Sequence, residues 1–203
     1  MRRLFLENDP VTDLPARLQT LLTARAAEVT AEWAARPAAV LVPLYRLGDE
    51  WHLLFTERTQ TVEDHKGQVA FPGGRVDEGD ASRIETALRE TEEEIGLQRR
   101  DVTVLGVLDE LITVTQYRVT PVVGVFAWPY PFVLSTDELS EVFGVPLQWL
   151  VNPANREIQY REPLITGPKI PVYYFHYQGH TIWGVTARMV VGFLEVIQPL
   201  LER

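Results

Sequence analysis

Between residues 12 and 36 the apolar positions Leu14, Leu18, Leu21, Leu22, Val29 and Trp33 recur at steps of three, four and seven, and Pro37 closes the run. That spacing predicts an N-terminal helix. The pattern then changes. Residues 38–47 (AAVLVPLYRL) are almost continuously apolar, as a buried strand requires, Gly48 and Asp49 make a turn, and residues 51–58 predict a second strand. Residues 59–70 are polar and loop-like. Residues 101–115 and 117–128 predict two further strands, followed by a Pro-containing loop. Ser135 or Thr136 can cap a short helix beginning near Asp137, since Glu138 lies three residues after Ser135. The short stretch 145–151 is mixed and selects neither element. Residues 170–178 and 181–183 predict a hairpin around Gly179, and residues 185–200 a closing apolar helix. Irregular alternation with antiparallel hairpins favours α+β, or a helix–sheet–helix sandwich, over a doubly wound parallel sheet. The expected organisation is a helical extension over residues 1–37 and one domain over residues 38–203.

Composition narrows the chemistry. With no cysteine among 203 residues, disulfides, thiolate metal sites and cysteine nucleophiles are excluded. The formal net charge of −9 argues against a duplex nucleic-acid binder, which needs a basic face. An acidic chain can still take an anionic substrate when divalent cations mediate the contact. The start MRRLFLENDP resembles a signal peptide until Glu7, Asn8 and Asp9 interrupt it, and no apolar run approaches a spanning length. A cytoplasmic protein without membrane partners is the expectation.

The most informative stretch is residues 71–97, FPGGRVDEGDASRIETALRETEEEIGL. Ser82 and Glu85 form a capping box that starts a helix at about Arg83, and Gly96 stands where a left-handed cap belongs. At 100° per residue, Ile84, Ala87, Leu88, Thr91 and Ile95 form one apolar face. Glu85, Arg89 and Glu92 occupy one flank, where Arg89 can pair with both glutamates. Glu90, Glu93 and Glu94 occupy the other, with Glu94 bordering the apolar face. Two carboxylates about 5 Å apart repel by roughly 3 kcal/mol at an effective dielectric near 20. The cluster also lies at the helix end where negative charge is unfavourable. A solvated acidic face is the ordinary explanation of a glutamate run, but it accounts neither for the partial burial expected of Glu94 nor for the glycine turn. Hard oxygen ligands on one rigid element suit Mg2+ or Mn2+, and Gly73-Gly74 permits a carbonyl to point at the ion.

At these residues the sequence resembles the Nudix hydrolase family. That family's signature is a glycine, five residues, a glutamate, seven residues, then Arg-Glu-apolar-any-Glu-Glu-any-Gly-apolar. Arg89, Glu90, Glu93, Glu94, Gly96 and Leu97 match in register. Asp80 stands at the place of the first glutamate with eight residues before Arg89, and Thr91 replaces the apolar residue. The resemblance implies an α/β/α sandwich with a mixed sheet and metal-dependent hydrolysis of a nucleoside diphosphate linked to another moiety. It implies Glu90, Glu93 and Glu94 as metal ligands, a carbonyl ligand from Gly73 or Gly74, and Arg89 orienting the carboxylates.

A narrower resemblance, to the coenzyme A pyrophosphatase branch, rests on Leu54, Thr56, Arg58, Gly67, Phe71, Pro72, Gly73 and Gly74. Phe55 and Thr59 depart from its motif, and Glu63 stands in place of an arginine. Stretches VTPVVG, EVFGVPL and IWGVTA resemble later parts of the branch. Substrate contacts are then expected from Arg58, His65, Lys66, Gly67 and Phe71. On coenzyme A the products would be adenosine 3′,5′-bisphosphate and phosphopantetheine; ADP-ribose, NADH or sensing without turnover are the alternatives. Candidate general bases are Glu90 in the helix, or Glu138 and Glu141 beyond the Pro-containing loop.

Other chemistries lack their residues. There is no Walker loop, no Gly-x-Gly-x-x-Gly and no Gly-x-Ser-x-Gly. His52, His176 and His180 have no metal spacing and suit structural or surface roles, whereas His65 neighbours the substrate loop. Trp128, Tyr130 and Phe132 suit packing better than base stacking. The N-terminal helix could serve a homodimer.

Overall fold

The computed structural model describes residues 13–29, 35–59, 67–162 and 168–201. Its organising unit is a mixed sheet built on β1 (Arg36–Leu47), which pairs antiparallel with β2 (Glu50–Arg58) and parallel with β7 (Tyr117–Phe126). The path β3 (Val69–Ala70), β2, β1, β7, β5 (Val102–Val107) runs across it. β4 (Gly73–Arg75) joins β1, β6 (Leu111–Ile112) joins β7, and β8 (Leu139–Pro146) joins β2. A second sheet runs β11 (His180–Trp183), β10 (Ile170–Tyr177), β9 (Arg156–Arg161). This is the α+β sandwich with a mixed sheet that the sequence predicted.

Residue alternation along β1 and β2 separates two cores. On one face Ala39, Leu41, Tyr45 and Leu54 pack with Ala87, Leu88 and Ile95 of α2 (Arg83–Ile95). On the other, Val42, Leu44, Leu53 and Phe55 pack with Val190, Phe193 and Ile197 of α4 (Gly184–Leu201) and Leu14, Leu18 and Leu22 of α1 (Leu14–Ala24). The apolar stripe of α1 is thus spent inside its own chain.

Several expected boundaries move. The first helix stops at Ala24, not near residue 36, and Arg25 is already extended. Asp109 captures the departing chain, pairing with the Arg25 guanidinium and accepting the Glu28 N–H at 2.8 Å. Val29 is 74% exposed, so it continues no buried stripe, and Trp33 lies outside the described residues. The expected strand over 101–115 breaks into a 3-10 turn, β5, an irregular link and β6, with a register shift at Gly106. Gly106 has φ 153°, and a Cβ there would lie 2.6 Å from Leu22 Cβ. No helix forms after Ser135. The Leu139 and Glu138 N–H groups both bond to the Ser135 carbonyl, making a single turn before β8 pairs with β2. The mixed stretch resolves into the end of β8 and α3 (Leu147–Val151). β9 was not anticipated; the hairpin β10–β11 and α4 were.

Candidate active site

The catalytic candidates meet where β4 passes the C-terminal half of α2. The helix begins as its capping box dictates, with Ser82 Oγ accepting the Glu85 N–H at 3.2 Å, and ends at Gly96 with φ 72°. Its buried face is wider than the periodicity suggested, since Thr86 and Glu94 join Ala87, Leu88, Thr91 and Ile95.

β4 is pinned against β1 in the register Val40↔Gly73, Ala39↔Gly74, Ala38↔Arg75. Gly73 has φ 152°, and a Cβ there would meet the Ala39 carbonyl oxygen at 2.4 Å. At Gly74 the constraint comes from the site itself: a Cβ would lie 2.4 Å from Glu90 Cδ. One glycine lets the strand approach β1, and the other leaves room for a carboxylate.

Glu94 is the buried member of the acidic cluster, 9% exposed, and its Oε2 accepts the Gly73 N–H at 3.0 Å. Burial pushes its carboxyl up to about 8, with Gly73 and Arg58 opposing and Glu90 and Glu138 adding to the rise. Glu90 is also raised by burial, against the attraction of Arg89. Glu93 is largely exposed. Among the described residues these three do not each bring a carboxylate oxygen within 4.8 Å of the others; the set that meets that distance is Glu57, Glu141 and His180.

Arg89 explains much of this. It does not pair with Glu85 and Glu92, as the helical spacing suggested. Those two carboxylates meet Arg99, at 3.4 and 2.9 Å. Arg89 instead grips Asp80 through Nε and Nη2 at 2.9 and 3.0 Å, donates to the Arg75 carbonyl at 3.0 Å, and reaches Glu90 at 3.0 Å and Glu93 at 3.1 Å. The guanidinium holds the Asp80 carboxyl well below the usual carboxylate range, while Thr86 Oγ1 and the Asp77 N–H also donate to it. Asp80 therefore forms the bidentate clamp that fixes Arg89 across the extra residue in the loop. Pairing of an arginine with a preceding carboxylate could have been sought in the sequence, but only the loop path selects Asp80 over Asp77, which is 3.7 Å away.

The loop before β8 completes the wall. The Val133 and Ser135 N–H groups bond to the carbonyls of Ile95 and Glu94, at 3.0 and 2.9 Å. This brings Glu138 close to the Glu94 carboxyl, with Arg58 3.8 Å from Glu138. Arg58 Nε is buried and has no hydrogen-bond partner. Phe71 is a packed side chain, 2% exposed and stacked on Phe55 at 4.7 Å. Gly67 has φ 61° and donates to the Thr59 carbonyl. His65, Lys66 and Glu63 lie outside the described residues.

Glu141 goes elsewhere. It lies opposite Glu57 on β8 and β2, on the sheet face that carries α4, with neighbouring Phe55 and Phe143 in that face's core. His180 sits between the two carboxylates, 2.7 Å from Glu57 and 4.0 Å from Glu141, stacked on Phe143 at 3.7 Å. An imidazole held by carboxylates ties β11 to the main sheet, and Glu141 is separated from the glutamates of α2. Trp128, Tyr130 and Phe132 pack with Tyr45 and Phe126, as expected of a packing cluster.

Glu90, Glu93 and Glu94 offer the hard carboxylate oxygens that suit a divalent cation, with Glu90 lodged against Gly74 and burial outweighing the pull of Arg58 on Glu94, whose carboxyl stays raised to about 8. Residues 35–164 match the sequence model of the NUDIX domain. The chain is 40% identical over 187 residues to a protein of Cronobacter sakazakii described as the uncharacterized Nudix hydrolase NudL, covering 91% of this chain and 94% of that one. It is 41% identical over 157 residues to the like-named protein of Escherichia coli (strain K12), covering 76% and 79%. A MutT/nudix family protein from Enterococcus faecalis shares the fold, with a TM-score of 0.51 over 98% of this chain and 82% of that chain at 15% identity. This chain belongs to the Nudix hydrolase family. Among the described residues, no helix is long and apolar enough to cross a membrane.

Proposed function

We propose that this Nudix hydrolase cleaves the diphosphate linkage of coenzyme A or a related nucleoside diphosphate derivative with the help of Mg2+ or Mn2+. The observation that carries the reading is the Gly73–Glu94 contact: a buried carboxylate anchored to the glycine strand, with Glu90 packed into the space left by Gly74. Glu90, Glu93 and Glu94 would hold the metal, with the carbonyl of Gly73 or Gly74 completing the set. A bound divalent ion supplies charge neutralisation at the phosphate oxygens and a water of lowered pKa.

The chain's own residues do the rest. Arg89, locked by Asp80, orients Glu90 and Glu93. Glu138, beside Glu94 and Arg58, is the better-placed base from the late loop, with Glu90 the alternative; Glu141 faces the other side of the sheet. Arg58, 3.8 Å from Glu138 and partly exposed, supplies positive charge at this edge of the site. Support for the coenzyme A class comes from the run of Leu54, Thr56, Arg58, Gly67, Phe71 and Pro72 before the paired glycines, together with the expected contacts from His65 and Lys66. The charge reversal at Glu63 keeps ADP-ribose and NADH as the second reading.

The test is a turnover panel with coenzyme A, its dephospho form, ADP-ribose and NADH, each with Mg2+ and with Mn2+. Preference for coenzyme A supports the narrower class. Equal cleavage of all four removes it while leaving the hydrolase, and binding without turnover of any would favour a sensing role.

A further inference from the structure

β9 is the outer strand of the small sheet, and among the described residues no strand pairs with its free edge. It is also exposed: Tyr160 is 65% and Ile158 41% accessible. An unpaired edge is a template for another strand, and charged side chains blunt it unless a partner strand brings their opposites; β9 carries Arg156, Glu157 and Arg161 beside Ile158 and Tyr160. The sequence of this edge, Arg156-Glu157-Ile158-Gln159-Tyr160-Arg161-Glu162, is complementary to itself when reversed.

We propose that a second copy of this chain pairs with β9 antiparallel, about a two-fold axis through Gln159, joining the two small sheets into one. A two-fold axis perpendicular to the sheet places each residue opposite one on the same face and makes every contact off the axis twice. Centred on Gln159, it sets Glu157 against Arg161, Arg156 against Glu162, and Ile158 against Tyr160. Moving the axis to Ile158 sets Glu157 against Gln159 and Arg156 against Tyr160. Moving it to Tyr160 sets Ile158 against Glu162. Only the Gln159 register converts every charge into an opposite-sign pair and buries both apolar side chains together. Opposite charges and aromatic–aliphatic pairs across strands each stabilise a sheet modestly, and like charges oppose it. The copies occur in symmetric duplicate, so the contributions double.

The existing contacts leave the strand edge available. Glu157 accepts from Gln159 and lies 3.3 Å from His176, Arg161 donates to Tyr174 Oη, and Glu162 meets Lys169. All run within the small sheet's own side chains and none uses the free backbone edge. The apolar stripe of α1 is not available to a partner, because Leu14, Leu18 and Leu22 are already in the core.

Sedimentation equilibrium of the full chain, from micromolar to hundred-micromolar concentration, tests the pairing. The parent should show a monomer–dimer equilibrium that weakens with salt. Glu157→Arg and Arg161→Glu should each raise the dimer dissociation constant by about tenfold or more. An equimolar mixture of the two variants should form a heterodimer, since each charge then meets its opposite. The double variant E157R/R161E should dimerise again although its contact to His176 is lost, which separates pairing from a local structural role. Circular dichroism of all variants confirms retention of fold. A parent that stays monomeric throughout, a dimer indifferent to both single substitutions, or a mixture that remains monomeric overturns the proposal.

Discussion

The Gly73 N–H donates to Glu94 Oε2 across 3.0 Å, so a strand backbone and a helix carboxylate share one hydrogen bond at the centre of the site. The bond holds Glu94 in place without neutralising the cost of burying it, and the carboxyl rises to about 8. A divalent ion would remove that cost.

A raised carboxyl gives a definite sign. Glu94 binds its proton in the folded chain at pH values where the unfolded chain has released it. The associated stability is complete below the ordinary glutamate value of 4.5 and is lost as pH rises through about 8, a swing of up to about 5 kcal/mol. Metal-free protein should thus melt lower at pH about 8 than at pH about 5, and Glu94→Gln should flatten that slope while reducing turnover on the order of a hundredfold or more. Thermal melts in chelator and steady-state rates check both. A variant as active as the parent would remove Glu94 from the metal site.

Metal affinity should follow the same titration in the opposite direction. Binding must displace the Glu94 proton, so Mg2+ or Mn2+ affinity should climb with pH up to about 8 and then level. Isothermal titration in two buffers of different ionisation enthalpy should also show proton release.

Asp80 and Arg89 make a separable prediction. Asp80→Asn removes the bidentate clamp and should lower activity about ten- to hundredfold, with Glu90 and Glu93 still present. Because the Asp80 carboxyl is depressed, its stabilisation holds above the ordinary aspartate value and is lost as pH falls through the depressed one. The substitution should therefore matter least in strong acid, as acid titration of unfolding can show.

The two glycines should fail differently. Gly74→Ala puts a methyl group against Glu90 Cδ, so turnover should drop by about tenfold or more with little change in melting. Gly73→Ala meets the fixed Ala39 carbonyl and a positive φ, so it should cost about 2–3 kcal/mol of stability. Paired melts and rates separate the outcomes.

For the base, Glu138→Gln and Glu141→Gln should be compared at saturating substrate. The former should lower kcat and alter its pH profile, and the latter should leave kcat within about twofold, because Glu141 faces the α4 side with His180. Loss of kcat in Glu141→Gln alone would reverse the assignment.

What could be read in the sequence was what local chemistry decides. Ser82, Glu85 and Gly96 bound α2 through bonds to neighbours within a few residues, so their pattern sufficed. Arg89 was misassigned because helical spacing makes Glu85 and Glu92 available to it, whereas the folded loop offers Asp80 and a remote Arg99 claims both glutamates. The cap signal at Ser135 was genuine as chemistry but was overridden when its neighbours were recruited to the carbonyls of α2 and to pairing with β2. The first helix ended early for a similar reason, since Asp109 lies more than eighty positions away in the chain. β9, short and polar, carries no periodicity that distinguishes it from a loop.

The N-terminal helix lies outside the stretch that the family model matches. The family-matched stretch, residues 35–164, contains neither Leu14, Leu18 and Leu22 nor the apolar side of α4, yet all of them fill the core beneath β1 and β2. A fragment cut to that stretch would uncover the part of the sheet that α1 and α4 shield, leaving α3 on that side, while retaining the acidic cluster of α2. The candidate site is a local stretch of the chain, but the core that keeps it in register is made by segments from both ends.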